Sequence, residues 1–202
     1  METKTDVEAM EKKIPELKDI YREFTHRTDE YKSGQACEKG CSFCCREAGS
    51  ITVTTLEGLA VRAAMKALLR SRQKTLTRMF QQEIKKKEKG DVVPCPFLMK
   101  NNTCMIYEDR PFSCRRIYST HVCTPKTPPM VSRQVMKEGY RTIKRLQELD
   151  INGYSGHMSY ILYMLSIPEF LDTYLGGDFK PRDIMVFGKS HKIVINRMMV
   201  VV

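Results

Sequence analysis

Apolar and polar positions alternate along this chain with two different rhythms, and then for some forty residues with neither. Over residues 6–28, Ile14, Leu17, Ile20, Tyr21 and Phe24 recur at three- and four-residue spacing, which puts them on one face and predicts a helix. The segment 54–90 predicts a second and longer one. Leu56, Leu59, Ala60, Ala63, Ala67, Leu76, Met79 and Phe80 supply its buried stripe, with room for a break near 70–75. Thr54 and Glu57 stand at capping-box spacing at its start, and Gly90 is a stop. Residues 132–149 predict a helix with Ser132 as N-cap and Val135, Met136, Tyr140, Ile143 and Leu146 on its apolar face. Two more follow at 155–165 and 168–175, the latter with Pro168 at its first position. "SITV" (50–53) reads as a short strand, and the two apolar runs of 184–195 around Gly-Lys-Ser-His read as a hairpin.

The arrhythmic part is 91–131. Its six prolines, Pro94, Pro96, Pro111, Pro125, Pro128 and Pro129, remove backbone donors and break helices. A loop this long is unusual in a compact domain unless something other than secondary structure holds it. Bound metal would do so. The expected architecture is therefore mainly α: one helical domain over 1–202, built round a loop-rich cysteine and metal core at 34–123. Helical extensions at 6–28 and 132–175 flank that core, with at most a short strand or small C-terminal hairpin beside them.

Composition sharpens this. A chain of 202 residues with 42% hydrophobic content suits one domain with a real core. The polar start, "METKTDVEAMEKK", predicts no secretory signal, and the longest apolar runs, "ILYML" and "MMVVV", are too short to span a bilayer. The expected compartment is the reducing cytoplasm, where eight cysteines argue for metal or redox chemistry over a disulfide framework. The net charge of +10 would attract polyanions. Arg62, Lys66, Arg70, Lys74 and Arg78 recur every four residues, but a solvated outer face accounts for them better than a nucleic-acid interface does. The expected partner is a protein or redox partner, which the sequence does not name.

The cysteines fall into two sets. Cys37, Cys41, Cys44 and Cys45 lie within nine residues, "CEKGCSFCC"; Cys95, Cys104, Cys114 and Cys123 are spaced by nine and ten. Eight thiolates suffice for two four-coordinate sites, or for one with spares. Zinc usually takes its ligands as two C-x2-C pairs, and only Cys41 and Cys44 make one. Three ligands close together plus a remote fourth better suit an iron–sulfur cube, so a [4Fe-4S] cluster is preferred to zinc. His121 keeps zinc with mixed ligands open. If Cys44 and Cys45 lie in an extended segment, their side chains point opposite ways. They would then serve two metals, or leave one thiol for chemistry.

Three segments together, "CEKGCSFCCR", "CPFL" and "CMIYEDRPFSCR", resemble the YkgJ-type cysteine-cluster proteins, a zinc- or iron-chelating domain. The resemblance covers roughly residues 37–118. It implies Cys37, Cys41, Cys44, Cys45, Cys95, Cys104 and Cys114 as metal ligands, with Arg110, Pro111 and Arg115 as the surrounding frame; Cys123 lies beyond it. The family is also similar to the cysteine-rich part of flagellin lysine-N-methylase, which implies an iron–sulfur cluster and methyl transfer, although no separate S-adenosylmethionine site stands out.

The leading functional expectation is a metal-binding protein with a closed structural or electron-carrying centre. The alternative is a methyltransferase-like or other cluster-dependent enzyme. A zinc-only structural protein ranks lower. So does a radical S-adenosylmethionine enzyme: the C-x3-C-x2-C spacing fits one, but the repeated strand–helix units of a partial barrel and a Gly-Gly-Glu-like segment do not appear. The arginines 110, 115 and 116 are candidates to offset thiolate charge. His26, His121, His157 and His191 form no arguable catalytic pair, and His157 reads as a packed histidine.

Overall fold

The computed structural model describes the backbone of residues 4–38, 40–47, 51–87, 89 and 91–186, with side chains from residue 12 onward except at 87. Helices dominate. In chain order they are α1 (Lys4–Thr28), α2 (Phe43–Glu47), α3 (Thr55–Lys66), α4 (Arg70–Lys87), α5 (Phe112–Arg115), α6 (Arg133–Leu149), α7 (Met158–Met164) and α8 (Pro168–Leu175). Two three-residue strands, β1 (Thr52–Thr54) and β2 (Ser155–His157), pair antiparallel, with Thr52 opposite His157 and Thr54 opposite Ser155. The chain is thus mainly α around a minimal ribbon. The hairpin expected at 184–195 lies almost wholly outside the described residues; its first three, 184–186, are helical.

The apolar period of α1 does what it predicts. Leu17, Ile20, Tyr21 and Phe24 are all buried, and α1 lies along α6. Pro15 sits inside this helix, where it removes one backbone donor. On α6 the buried row is Val135, Gly139, Thr142 and Leu146. It is rotated from the expected stripe, so Met136 and Tyr140 face outward, at 45% and 60% exposure. Gly58 lets α3 approach α7 closely: a Cβ there would lie 2.4 Å from Ile161 Cγ2.

The long helix expected at 54–90 is two. The break falls at 67–69, just before the anticipated 70–75, and Gln73 Nε2 donates to the freed carbonyls of Lys66 (3.0 Å) and Leu68 (2.7 Å). That gives the last turn of α3 partners it would otherwise lack. Ala63, Ala67 and Met79 are exposed, because the two helices present different faces to α7. The basic row from Arg62 to Arg78 is likewise divided between them.

The helix expected from residue 155 starts three residues late. Ser155–His157 is spent on the ribbon, and His157 then caps α7, its Nδ1 accepting from Ser159 N at 3.2 Å. His157 is buried, as a packed histidine should be.

Two buried carboxylates tie the scaffold together. The capping box of α3 is present: Glu57 N donates to Thr54 Oγ1 (3.1 Å), and Thr54 N to Glu57 Oε2 (2.9 Å). Glu57 also accepts from Tyr21 Oη on α1 (2.6 Å) and from Phe112 N at the start of α5 (2.8 Å). Asp150 accepts from Leu56 N (2.8 Å) and Tyr174 Oη on α8 (2.6 Å). Both acids sit against the N-terminal turn of α3, where the helix dipole favours negative charge. Burial nonetheless raises both pKa values above the ordinary carboxylate range, that of Asp150 to about 6.

Candidate metal centre

The cysteines are carried by loops and very short helices. Gly34 and Gly40, at φ 79° and 94°, make the turns of the first loop that a residue with a Cβ resists. That loop docks onto the second cysteine region through backbone bonds. Ala36 N donates to Ser119 O (2.8 Å), and Ser119 N donates to Cys37 Sγ (3.2 Å). Cys41 follows in a turn closed on Glu38 O and is exposed.

Cys44 and Cys45 lie on α2, not on extended chain. On a helix, successive side chains diverge by about 100°, so the opposite-pointing geometry expected for them does not hold. The hydrogen bond between the two sulfurs lowers the pKa of Cys44 and raises that of Cys45.

The remaining thiols gather beneath α2. Cys95 N donates to Cys45 O at 2.7 Å. Leu98 bridges to Cys104 across a tight turn that holds Asn102 at φ 62°, and Arg46 on α2 reaches that turn through Asn102 Oδ1 at 2.6 Å. Cys114 sits on α5, whose first amide is held by Glu57. Phe97, 1% exposed, packs edge-on to Phe80 of α4 at 5.2 Å and fixes the whole segment to the scaffold.

Burial raises the pKa values of Cys37, Cys104 and Cys114. A cation would have to displace those protons, since the thiolate is the ligand.

The arginines divide their work. Arg110 lies over the Tyr107 ring at 3.5 Å, and its charge favours the thiolates of Cys44, Cys104 and Cys114. Arg115 instead grips the loop before it. It donates to the carbonyls of Arg110 (2.7 Å) and Glu108, and its guanidinium lies 4.9 Å from the Tyr21 ring. Arg116 turns a buried Nε inward that has no hydrogen-bond partner.

None of the eight cysteines forms a disulfide. Among the described residues, no three His, Cys, Asp or Glu side chains already stand at the spacing of a bound metal. The donor chemistry fits a thiophilic metal all the same: eight free cysteines stand on these loops and short helices, and the charge of Arg110 favours the thiolates of Cys44, Cys104 and Cys114. His121 directs its Nε2 to Thr127 O at 3.3 Å.

Residues 36–141 match the model of the CxxCxxCC family, described as "Putative zinc- or iron-chelating domain". The chain belongs to this family. The match runs past the expected 37–118 and takes in Cys123 and the first half of α6. Membership in the CxxCxxCC family supports metal binding by the cysteine cluster, with zinc or iron as its metal. No curated protein and no solved structure matches the chain. Among the described residues, no helix is long and apolar enough to cross a membrane.

Proposed function

We propose that this CxxCxxCC domain holds a [4Fe-4S] cluster in a closed site ligated by cysteine alone, as a structural or electron-carrying centre. Its ligands come from Cys37, Cys41, Cys44, Cys45, Cys95, Cys104 and Cys114. The observation that carries this reading is the grouping of three cysteines within five residues, Cys41 in a tight turn and Cys44 and Cys45 on the short helix α2 that follows it. Cubes accept ligands in that way, whereas zinc more often takes paired turns.

When bound, the cluster supplies one-electron chemistry or a structural cross-link. The chain's own part is to hold it and set its charge environment. The Ser119 amide donates to the Cys37 sulfur and so favours its thiolate. Arg110 offsets negative charge around Cys44, Cys104 and Cys114. Arg115 holds the loop that presents Arg110.

A wide groove of about 1240 Å³ runs along α1, lined by Tyr21, Arg22, His26, Glu108, Arg115 and Glu138 among others, with no cysteine in its wall. It lends no support to the cluster-dependent enzyme reading, because it does not bring a substrate to the sulfur.

The test is anaerobic purification followed by iron, zinc and acid-labile sulfide analysis with absorbance spectra. Brown protein with labile sulfide is expected. Colourless protein with stoichiometric zinc would overturn the cluster while leaving metal binding intact.

A further inference from the structure

We propose that the cleft between α3, α4 and α7 binds single-stranded nucleic acid, its phosphates held by cations of α3 and α4 and one base admitted to the cleft. This is independent of the metal-binding reading, because the surface carries no cysteine.

The exposed charge of α3 and α4 is of one sign. Over residues 55–87, nine lysines and arginines stand against two acids, Glu57 and Glu83. Both acids are buried. Nine less two leaves this segment with seven of the chain's ten net positive charges. On α6, by contrast, cations find acids: Arg145 meets Glu23 at 2.6 Å and Arg141 meets Glu138 at 2.5 Å. Among the described residues, Arg62, Lys66, Arg70, Lys74, Arg78 and Lys85 form no ion pair. Like charges four apart destabilise a helix, and Arg70, Lys74 and Arg78 make two such steps in succession. An anionic ligand would relieve that repulsion.

The helix break gives the charge a shape. Both α3 and α4 pack on α7, and the three line a cleft of about 200 Å³. Phe80, Ile84 and Leu162 supply its apolar lining, and no acid lines it. Arg62 and Lys66 stand on the α3 side, where Arg62 is fixed by donating to Leu165 O. Tyr163, 38% exposed, brings an aromatic ring from α7. On α4, Lys74, Arg78 and Lys85 each follow a lining residue by one position, after Gln73, Thr77 and Ile84. At about 100° per residue, that sets all three on one flank of the cleft.

The size of the cleft chooses the ligand. Sites for drug-sized molecules run to about 300–1,000 Å³, so this one takes a single ring system and not a whole nucleotide. A flat base in an apolar slot beside an aromatic ring, with phosphates on cations outside it, is how single strands are held. A duplex keeps its bases stacked and could use the charge only. An anionic membrane would need apolar side chains to bury in it. Among the described residues of 55–87, the exposed large ones are Leu69 and Met79.

The test is fluorescence anisotropy of the full chain with labelled oligo-U RNA and oligo-T DNA of about 12 nucleotides, a duplex of equal length, and phosphatidylserine vesicles as a separate arm. Single strands should bind, and binding should weaken about a hundredfold between 50 and 200 mM salt, the fall for about five phosphate contacts. Lys74→Gln combined with Arg78→Gln should lower the salt slope by about 1.4. Tyr163→Ala should weaken binding about tenfold at an unchanged slope, and Tyr163→Phe should restore it. Arg133→Gln combined with Lys137→Gln, on α6, should change nothing. No single-strand binding at 50 mM salt overturns the proposal, whether or not vesicles bind. A duplex bound as tightly, with Tyr163→Ala silent, overturns it too, because charge alone would then account for binding. So does an equal loss in the α6 pair, which would place the contact elsewhere.

Discussion

The helical scaffold and the cysteine segment at 91–131 hold themselves together by different means. In the scaffold, α1, α3, α6, α7 and α8 bury continuous rows such as Leu17, Ile20 and Phe24 against Val135 and Leu146. Two buried carboxylates then pin the helix ends. The cysteine segment has one four-residue helix, two isolated bridges, a few turns, and four core side chains of its own, Phe97, Ile106, Phe112 and Tyr118. Much of what lies between these anchors is half-exposed loop carrying sulfur. Burial of apolar area suffices for the first region. The second has too little of it, and its order is expected to depend on what the thiols bind.

The largest expected effect follows from that contrast. Structural metal binding is worth roughly 10–16 kcal/mol, as much as a whole domain's stability of about 5–15 kcal/mol. Stripping the metal should therefore open residues 91–131 to protease first, while α1 and α6 keep their amide protection. Equal protease resistance with and without metal would sink the idea that the segment depends on it.

A smaller blow falls on the joint between the regions. Phe97→Ala removes the ring packed on Phe80 and should cost about 3–5 kcal/mol in urea unfolding. It should also weaken metal retention, because Cys95 and Cys104 flank that ring in sequence. A loss of stability with metal binding unchanged would mean that the two regions are less coupled than their packing suggests.

The scaffold has its own signature in pH. Asp150 titrates near 6 when folded, against an ordinary 3.8. A raised carboxylate binds its proton more tightly in the folded state, so stability is greatest below the unfolded value and falls as pH rises through about 4 to 6. The shift amounts to about 3 kcal/mol over that window. Asp150→Asn should flatten this slope, leaving a residual one of the same sign from Glu57. An unchanged slope would remove Asp150 as its source.

The smallest effect is at Arg115→Gln, which releases the loop that presents Arg110. Stability should change by about 1–2 kcal/mol, with a modest rise in metal off-rate measured by transfer to a chelator. An unchanged off-rate would confine Arg115 to the frame.

Much of the scaffold was legible in the sequence because its signals are local. The three- and four-residue period of α1, the capping box at Thr54 and Glu57, Ser132 before α6 and Pro168 at α8 each act within a turn of helix. The misses are long-range. Nothing in "SGH" reads as a strand; Thr52–Thr54, a hundred residues earlier, makes it one. The face α6 buries depends on how it lies against α1 and beside Arg116, which leaves Met136 and Tyr140 outside. Glu57 could be read as a cap, but its bonds to Tyr21 and Phe112 join elements 36 and 55 residues away. The cysteines were legible as a cluster from their density alone. Their neighbours were not, because the bonds round Ser119 and between Cys45 and Cys95 depend on how the loops fold back.

The bond from the Phe112 amide to Glu57 also has a consequence in time. A ribosome releases the chain from its N-terminus, so Cys37, Cys41, Cys44 and Cys45 emerge long before Phe112 exists to lock α5 onto the scaffold. At about 5–20 residues per second, four closely spaced thiols wait several seconds with no finished wall to shelter them. For that interval the nascent protein depends on its surroundings to keep the sulfur reduced, which makes the moment of synthesis its most oxidant-sensitive stage.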